Sequence, residues 1–189
     1  MIKEYFPTTF YEYDNIFDHK ILNDVLTSVK NDGDLLSSAT AEAVGGPEFS
    51  TNYYFKEQQQ HLFLPIYNTL NERLGTDGMS FQLIDAPWYT EYGEHDTISP
   101  HMHDLRQVDL MKVRDTYKYS IIINLSNFGG TSFNNPNSTC LTSNQQLFIE
   151  SKYGLTVLFP SNILHWVTAH RVSGRKRSSF SANGLLSFL

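Results

Sequence analysis

The chain changes character near residue 76, and this change constrains its fold more than any other feature. Before that point, apolar residues recur at the spacing of amphipathic helices; after it, short aromatic and β-branched runs alternate with turn residues. Helices followed by many short strands are typical of an α+β fold. We therefore predict a single domain over residues 1–189, with a helical N-terminal support at 1–76 and a β-barrel core at 77–189.

Two segments of the N-terminal region carry helical signals. The first follows Asp14, a residue type favoured at helix N-caps, and stops at residues 31–33, where Asn, Asp and Gly occur together. The second covers residues 56–74 and contains Pro65, which is expected to kink the helix or to divide it in two. The small, Gly- and Pro-marked residues at 37–49 predict a loop between the helices.

The strongest strand signal lies at residues 117–125, which are dense in β-branched side chains. Turn residues separate this segment from the other strand candidates. These are residues 81–92, 146–150, 154–159, 165–172 and 177–183.

Composition excludes several classes of protein. A net charge of −6, from 20 acidic and 14 basic residues, argues against binding along a nucleic-acid backbone. The single cysteine, Cys140, excludes an intramolecular disulfide framework and any cysteine-rich metal cage. The first residues lack the apolar core of a signal peptide, and no run approaches the roughly 20 apolar residues that a membrane-spanning helix needs. We therefore expect a cytoplasmic protein without a membrane partner.

Three of the seven histidines could form a metal site. His101 and His103 stand two residues apart, and on an extended chain alternate side chains face the same side. Later in the sequence, a buried strand ends in a turn marked by Pro160, and the next strand begins at His165. If these two halves face each other in one barrel, His165 can complete a three-ligand facial site that leaves open positions on the metal for substrate and dioxygen.

An arginine on the last strand suggests the chemistry of a ligand. Arg177 and Ser179 share one face of a strand, so a guanidinium and a hydroxyl project into the same cavity. Arginine presents a planar fork of donors that matches a carboxylate bidentately. A buried arginine that lies a few strand positions away from a metal in space suits a small dicarboxylate, with one end on the metal and the other on the guanidinium.

Four sequence motifs, taken together, point to a known family. In chain order they are Tyr92 followed by His101-Met102-His103, Gly129-Gly130-Thr131-Ser132-Phe133, Phe159-Pro160-Ser161 with His165, and Arg177-Ser178-Ser179. Their order and spacing over residues 88–183 resemble the iron(II)- and 2-oxoglutarate-dependent dioxygenases, within them the prolyl 4-hydroxylase-like branch. The resemblance implies a double-stranded β-helix, or jelly roll, with N-terminal helices packed on one sheet.

The resemblance also implies a reaction and its cofactors. The expected activity is hydroxylation of an unidentified substrate, such as a peptidyl prolyl or another side chain, or a small molecule, with dioxygen consumed and succinate and CO2 released. Fe(II) would be the cofactor and 2-oxoglutarate the cosubstrate. A homodimer is left open. The rival interpretations are a cupin-type metal-binding barrel and a non-catalytic barrel that serves as a binding module.

By resemblance, the iron ligands are His101, His103 and His165. The family usually has a carboxylate where this chain has His103, and three interpretations follow. His103 itself coordinates; or Asp104 swings in from a distorted strand end; or the position stays open, as in the halogenating members of the family. We rank His103 first and Asp104 second, and a histidine here would raise the net charge of the iron site by one unit.

The resemblance also assigns residues to 2-oxoglutarate. Arg177 and Ser179 would hold its far carboxylate, while Asn124 and Tyr92 are further candidate contacts. Arg175 is the alternative anchor, because it lies on the same strand face and fits if the preceding turn is shorter than expected.

Overall fold

The computed structural model describes residues 2–5, 8–31, 51–55, 57–94, 96–103, 116–135 and 146–189. The predicted loop at 37–49 and the alternative ligand Asp104 lie outside these ranges. Within them, the helices are α1 (His19–Asn31), a short 3-10 helix (Glu57–Phe63) and α2 (Leu64–Thr76). The strands are β1 (Ile2–Tyr5), β2 (Thr8–Tyr13), β3 (Thr51–Tyr54), β4 (Met79–Leu83), β5 (Trp88–Tyr92), β6 (Ile98–His101), β7 (Thr116–Asn124), β8 (Gly130–Asn134), β9 (Gln146–Glu150), β10 (Thr156–Pro160), β11 (His165–Thr168) and β12 (Arg177–Phe188).

The strands form two antiparallel sheets. The large sheet has eight strands in the order β1-β2-β10-β7-β12-β5-β3, with β4 also paired to β12. The small sheet has four strands in the order β6-β11-β8-β9. Two antiparallel sheets with few helices confirm the coarse prediction of an α+β arrangement. None of the described helices combines the length and the apolar character that crossing a membrane requires.

The N-terminal region contributes strands as well as helices, which the sequence did not reveal. β1, β2 and β3 all join the large sheet. In β2 the adjacent side chains of Phe10 and Tyr11 are both buried, each in a different apolar cluster. A strand covered on both faces loses the alternation of polar and apolar residues by which strands are recognised.

The helix boundaries differ from those expected. α1 begins later than Asp14 predicted, and the backbone N–H of Lys20 donates to the carboxylate of Asp18 at 2.8 Å, just where the helix starts. The second helical segment is divided, as Pro65 suggested: a 3-10 helix precedes it, and α2 begins with Pro65 in its first turn. A proline is tolerated there because its missing N–H would have no partner in the helix.

The face of the large sheet that contacts the helices is apolar. Even-numbered residues of β12, Phe180 and Ala182, pack with Ile121 and Ile123 of β7 and with buried side chains of α1 and α2. Each fully buried Phe, Leu, Ile or Val side chain of this face contributes about 1.5–3 kcal/mol when it leaves water.

The opposite face of β12 is polar, although it is equally buried. The odd-numbered side chains from residue 177 to residue 183 are at most 6% exposed. They are Arg177, Ser179, Ser181 and Asn183. Buried polar groups need partners, so this polar stripe marks the place where the two sheets enclose a site.

Candidate metal centre and dicarboxylate site

Three histidines converge where the two sheets meet. His101 ends β6, His103 follows two residues later, and His165 begins β11 as the Cα partner of His101. Ring centroids lie 4.4 Å apart for His101 and His165, and 4.9 Å apart for His103 and His165. One ring nitrogen from each histidine lies within 4.8 Å of those from the other two. This histidine triad could therefore hold one metal ion.

The buried rings of the triad are in the state that binds metal. Nδ1 of His165 lies 2.9 Å from the carbonyl oxygen of Ile163, and because a carbonyl only accepts, Nδ1 carries the proton and Nε2 keeps its lone pair. Burial holds the pKa of His165 well below its usual range, and the other two histidines lower it further. Burial also lowers the pKa of His103 to about 4. Both rings are therefore neutral near pH 7, as metal ligation requires.

Aromatic side chains surround the triad. Phe133 and Phe159 place their ring centroids 5.9 Å and 4.8 Å from that of His165, and the ring of Trp88 lies 5.4 Å from that of His103. Such a shell limits the access of water and restrains the rings from turning.

A second polar site surrounds Arg177, whose side chain is 1% exposed. Nε donates to the hydroxyl of Ser151 at 2.9 Å, and Nη2 donates to Asn124 Oδ1 at 3.2 Å and to Thr131 Oγ1 at 3.1 Å. The guanidinium lies 5.3 Å from the centre of the Tyr92 ring. Nη1 is buried and has no hydrogen-bond partner within the described ranges.

The unpartnered Nη1 indicates what would bind there. Burial lowers the pKa of Arg177, but an arginine starts so high that it stays charged at neutral pH. In the described part of the chain its hydrogen bonds all go to neutral oxygens. A buried cation with a free donor is costly unless an anion completes it. The site therefore fits a carboxylate.

The first glycine of the second motif makes room for this arginine. Gly129 has a φ of +75°, and a Cβ at this position would lie 2.9 Å from Cδ of Arg177. Both the backbone conformation and the close approach thus require glycine.

Strand β8 connects the two sites. Thr131 contacts the guanidinium of Arg177, and Phe133 is the Cα partner of His165. Alternate residues of a strand share a face, and at about 3.3 Å per residue Thr131 and Phe133 are about 7 Å apart. A small dicarboxylate with one end at Nη1 would therefore reach toward the histidine triad.

This chain is similar to known proteins in its structure and not in its sequence. No protein-family model and no curated protein matches the sequence. A prolyl-4-hydroxylase from Pseudomonas putida matches with a TM-score of 0.62 and 14% identity, over 93% of this chain and 91% of that one. A 2OG-Fe(II) oxygenase family oxidoreductase from Burkholderia pseudomallei matches with a TM-score of 0.61 and 11% identity, over 94% and 84%.

HygX from Streptomyces hygroscopicus, solved with nickel, 2-oxoglutarate and hygromycin B bound, matches with a TM-score of 0.64 and 10% identity, over 95% of this chain and 83% of that one. The chain has the fold of the 2-oxoglutarate/iron(II) oxygenases. At these identities the likeness shows the oxygenase fold, and the roles of individual residues depend on the geometry above.

The structure brings together most of the residues that the sequence singled out. The histidine triad forms one group, and Arg177 lies with Asn124 and Tyr92. Ser179 is the Cα partner of Asn124. Arg175, by contrast, is exposed in the turn before β12.

Several residues at the site were not identified from the sequence. Ser151 and Thr131 bind Arg177, and Asn183 binds His103. Asn183 could have been found, because it lies on the same face of β12 as Arg177. Ser151 carries no such signal, and although Thr131 lies within the second motif, its contact with Arg177 depends on how the two sheets pack.

The donor set fits the groups that the oxygenase fold implies. Neutral imidazoles suit iron and other first-row transition metals, and the free Nη1 of Arg177 suits the far carboxylate of a dicarboxylic acid.

Proposed function

We propose that this chain is an Fe(II)- and 2-oxoglutarate-dependent oxygenase that hydroxylates a substrate and releases succinate and CO2. One observation carries the proposal: three imidazoles that could hold one metal ion, and a buried guanidinium with an unpartnered donor, both lie beside strand β8 of an oxygenase fold. We further propose that the two sheets form a double-stranded β-helix within a single domain.

Different residues of the chain would bind the metal and the cosubstrate. His101, His103 and His165 would hold the iron, which supplies the redox chemistry that activates dioxygen. Arg177 would bind the far carboxylate of 2-oxoglutarate through Nη1. The aromatic shell around the triad would exclude water from the reacting atoms.

Asn124 has a more specific role than the sequence suggested. Its Oδ1 accepts from Ser151 and Arg177, and its Nδ2 donates to the carbonyl of Leu155 at 3.0 Å. Its polar atoms are therefore engaged within the protein. We propose that Asn124 and the ring of Tyr92 hold the guanidinium in place, while Ser179 is a further candidate contact for the carboxylate.

The substrate class is either a protein side chain or a small molecule. One similar structure is a prolyl-4-hydroxylase, and another was solved with the small molecule hygromycin B bound. The fold therefore occurs both in a protein named for a prolyl residue and in one that binds a small molecule. The net charge of −6 keeps nucleic acid last among the candidates.

Calorimetry and product analysis test the proposal. Protein loaded with Fe(II) without oxygen should bind 2-oxoglutarate, and admission of oxygen should then yield succinate. Omission of either iron or oxygen should abolish succinate formation. Metal binding without 2-oxoglutarate binding would favour the cupin-type barrel, and binding of neither would favour a non-catalytic module.

Substitutions at position 103 test which residue completes the metal site. His103→Asp should retain iron, because a carboxylate supplies one negative charge in place of a neutral ring, whereas His103→Leu should lose it. The measurement is iron content after gel filtration. Asp104→Asn is the control and should leave iron content unchanged; retention by His103→Leu together with loss in Asp104→Asn would make Asp104 the ligand.

A further inference from the structure

His103 is bound by an amide of the large sheet, and that amide is bound by a carboxylate. Nδ1 of His103 lies 2.5 Å from Oδ1 of Asn183. Nδ2 of Asn183 donates to Oδ2 of Asp85 at 3.0 Å. Asp85 follows β4, and the N–H of its neighbour Ile84 donates to the carbonyl of Asn183 at 3.1 Å, which fixes the turn against β12.

The direction of each hydrogen bond in this series follows from chemistry. A carboxylate only accepts, so the NH2 group of Asn183 must face Asp85 and its Oδ1 must face His103. The hydroxyl of Ser120 also donates to Oδ1 of Asn183, at 2.7 Å, which favours the same orientation. An amide oxygen only accepts, so Nδ1 of His103 must carry the proton. The lone pair of His103 is thereby assigned to Nε2.

We propose that Asn183, oriented by Asp85, is a positioning residue that fixes the tautomer of His103 and so presents Nε2 to the metal. The proposal rests on the role of His103 as a ligand in the proposed function. Outer partners of metal-bound histidines fix both the tautomer and the orientation of the ring.

The arrangement also moves a negative charge outward. Where the resemblance leads one to expect a carboxylate beside the metal, this chain has a neutral imidazole, and the carboxylate of Asp85 lies two hydrogen bonds further out. Asn183 is 6% exposed, whereas Asp85 is solvent-exposed. Because water screens an exposed charge, the contribution of Asp85 should be smaller than that of Asn183.

Nickel affinity of the metal-free chain, measured by calorimetry without 2-oxoglutarate, tests the proposal. Asn183→Leu should weaken nickel binding about 10–100-fold, the usual effect of removing an outer partner. The double variant Asn183→Asp with Asp85→Asn keeps an acceptor for Nδ1 and places an amide donor opposite the new carboxylate, so it should retain the affinity. Asp85→Asn should weaken binding only a few-fold. Asn71→Leu is the matched control: Asn71 binds the backbone of Phe81 away from the triad, so nickel affinity should not change.

A double-mutant cycle separates positioning from general damage to the fold. In the His103→Ala background, Asn183→Leu should have almost no further effect on nickel affinity. An equal loss in both backgrounds, or no loss in the natural chain, would overturn the proposal.

Nitrogen NMR of the metal-free chain gives a readout that needs no metal. The ring of His103 should carry its proton on Nδ1, and Asn183→Leu should shift the population toward the other tautomer. A proton on Nε2 in the natural chain would overturn the inference while leaving the proposed oxygenase open, because that function is tested separately by 2-oxoglutarate binding and succinate release.

Discussion

The variant His165→Ala is expected to lose its iron. His165 is the most buried member of the triad, and its Nε2 is free because Nδ1 donates to Ile163. Removal of a direct ligand should cost more than the roughly 10–100-fold in affinity that removal of an outer partner costs. Iron content after anaerobic loading and gel filtration measures the effect, and 2-oxoglutarate-dependent succinate release should disappear with the metal.

His170→Ala provides the matched control. His170 is 5% exposed, against 3% for His165, and its Nε2 lies 3.2 Å from the carbonyl oxygen of Tyr92, outside the triad. Both variants remove a buried imidazole from the same part of the chain, but only His165→Ala should lose iron. Unchanged iron content in a folded His165→Ala protein would reject His165 as a ligand.

The second large effect is expected at Arg177. Arg177→Ala should raise the concentration of 2-oxoglutarate needed for half-maximal succinate release by on the order of a hundredfold. Loss of one partner from a buried, hydrogen-bonded charge pair costs about 2–5 kcal/mol, and each 1.4 kcal/mol is a factor of ten. Iron content should stay unchanged, because Arg177 is not part of the triad.

Two further variants make the arginine result specific. Arg175→Ala removes an exposed arginine two residues away and should change the requirement for 2-oxoglutarate little. Arg177→Met keeps most of the volume of the arginine side chain but removes its charge. It should behave like Arg177→Ala, and this result would assign the effect to the lost charge and not to a cavity. A larger effect of Arg175→Ala than of Arg177→Ala would move the anchor to Arg175.

Regular patterns in the sequence were sufficient to predict the elements whose burial is one-sided. α2 carries an apolar stripe that ends in Leu70 and Leu74, and its periodicity predicts the helix. β7 is rich in β-branched residues, and its predicted range, 117–125, differs from the observed range by one residue at either end. β2 was missed because it is buried on both faces, and its sequence therefore shows no clear period.

The triad could be predicted because the spacing of its histidines indicates which of them face the same side of the chain. Two histidines at alternate positions share one side, and a third begins a strand after a proline-marked turn. The contacts that support these ligands could not be predicted in the same way, although Asn183 shares a face of β12 with Arg177. Asp85 and Asn183 are 98 residues apart, and only the antiparallel pairing of β4 with β12 brings them together.

The choice between Arg175 and Arg177 also depended on packing. Their side chains face the same side of an extended chain because they are two residues apart, so periodicity alone does not show which one is the anchor. The structure separates them by burial, since β12 begins at Arg177 and the turn before it leaves Arg175 in solvent.

One metal ion should bind to three imidazoles from two distant stretches of the chain. Anomalous diffraction at the iron edge, on crystals loaded with Fe(II) in the absence of oxygen, tests it most directly. We predict a single strong peak within bonding distance of His101, His103 and His165. A peak that lies away from His165, or no peak in iron-loaded crystals, would contradict the account.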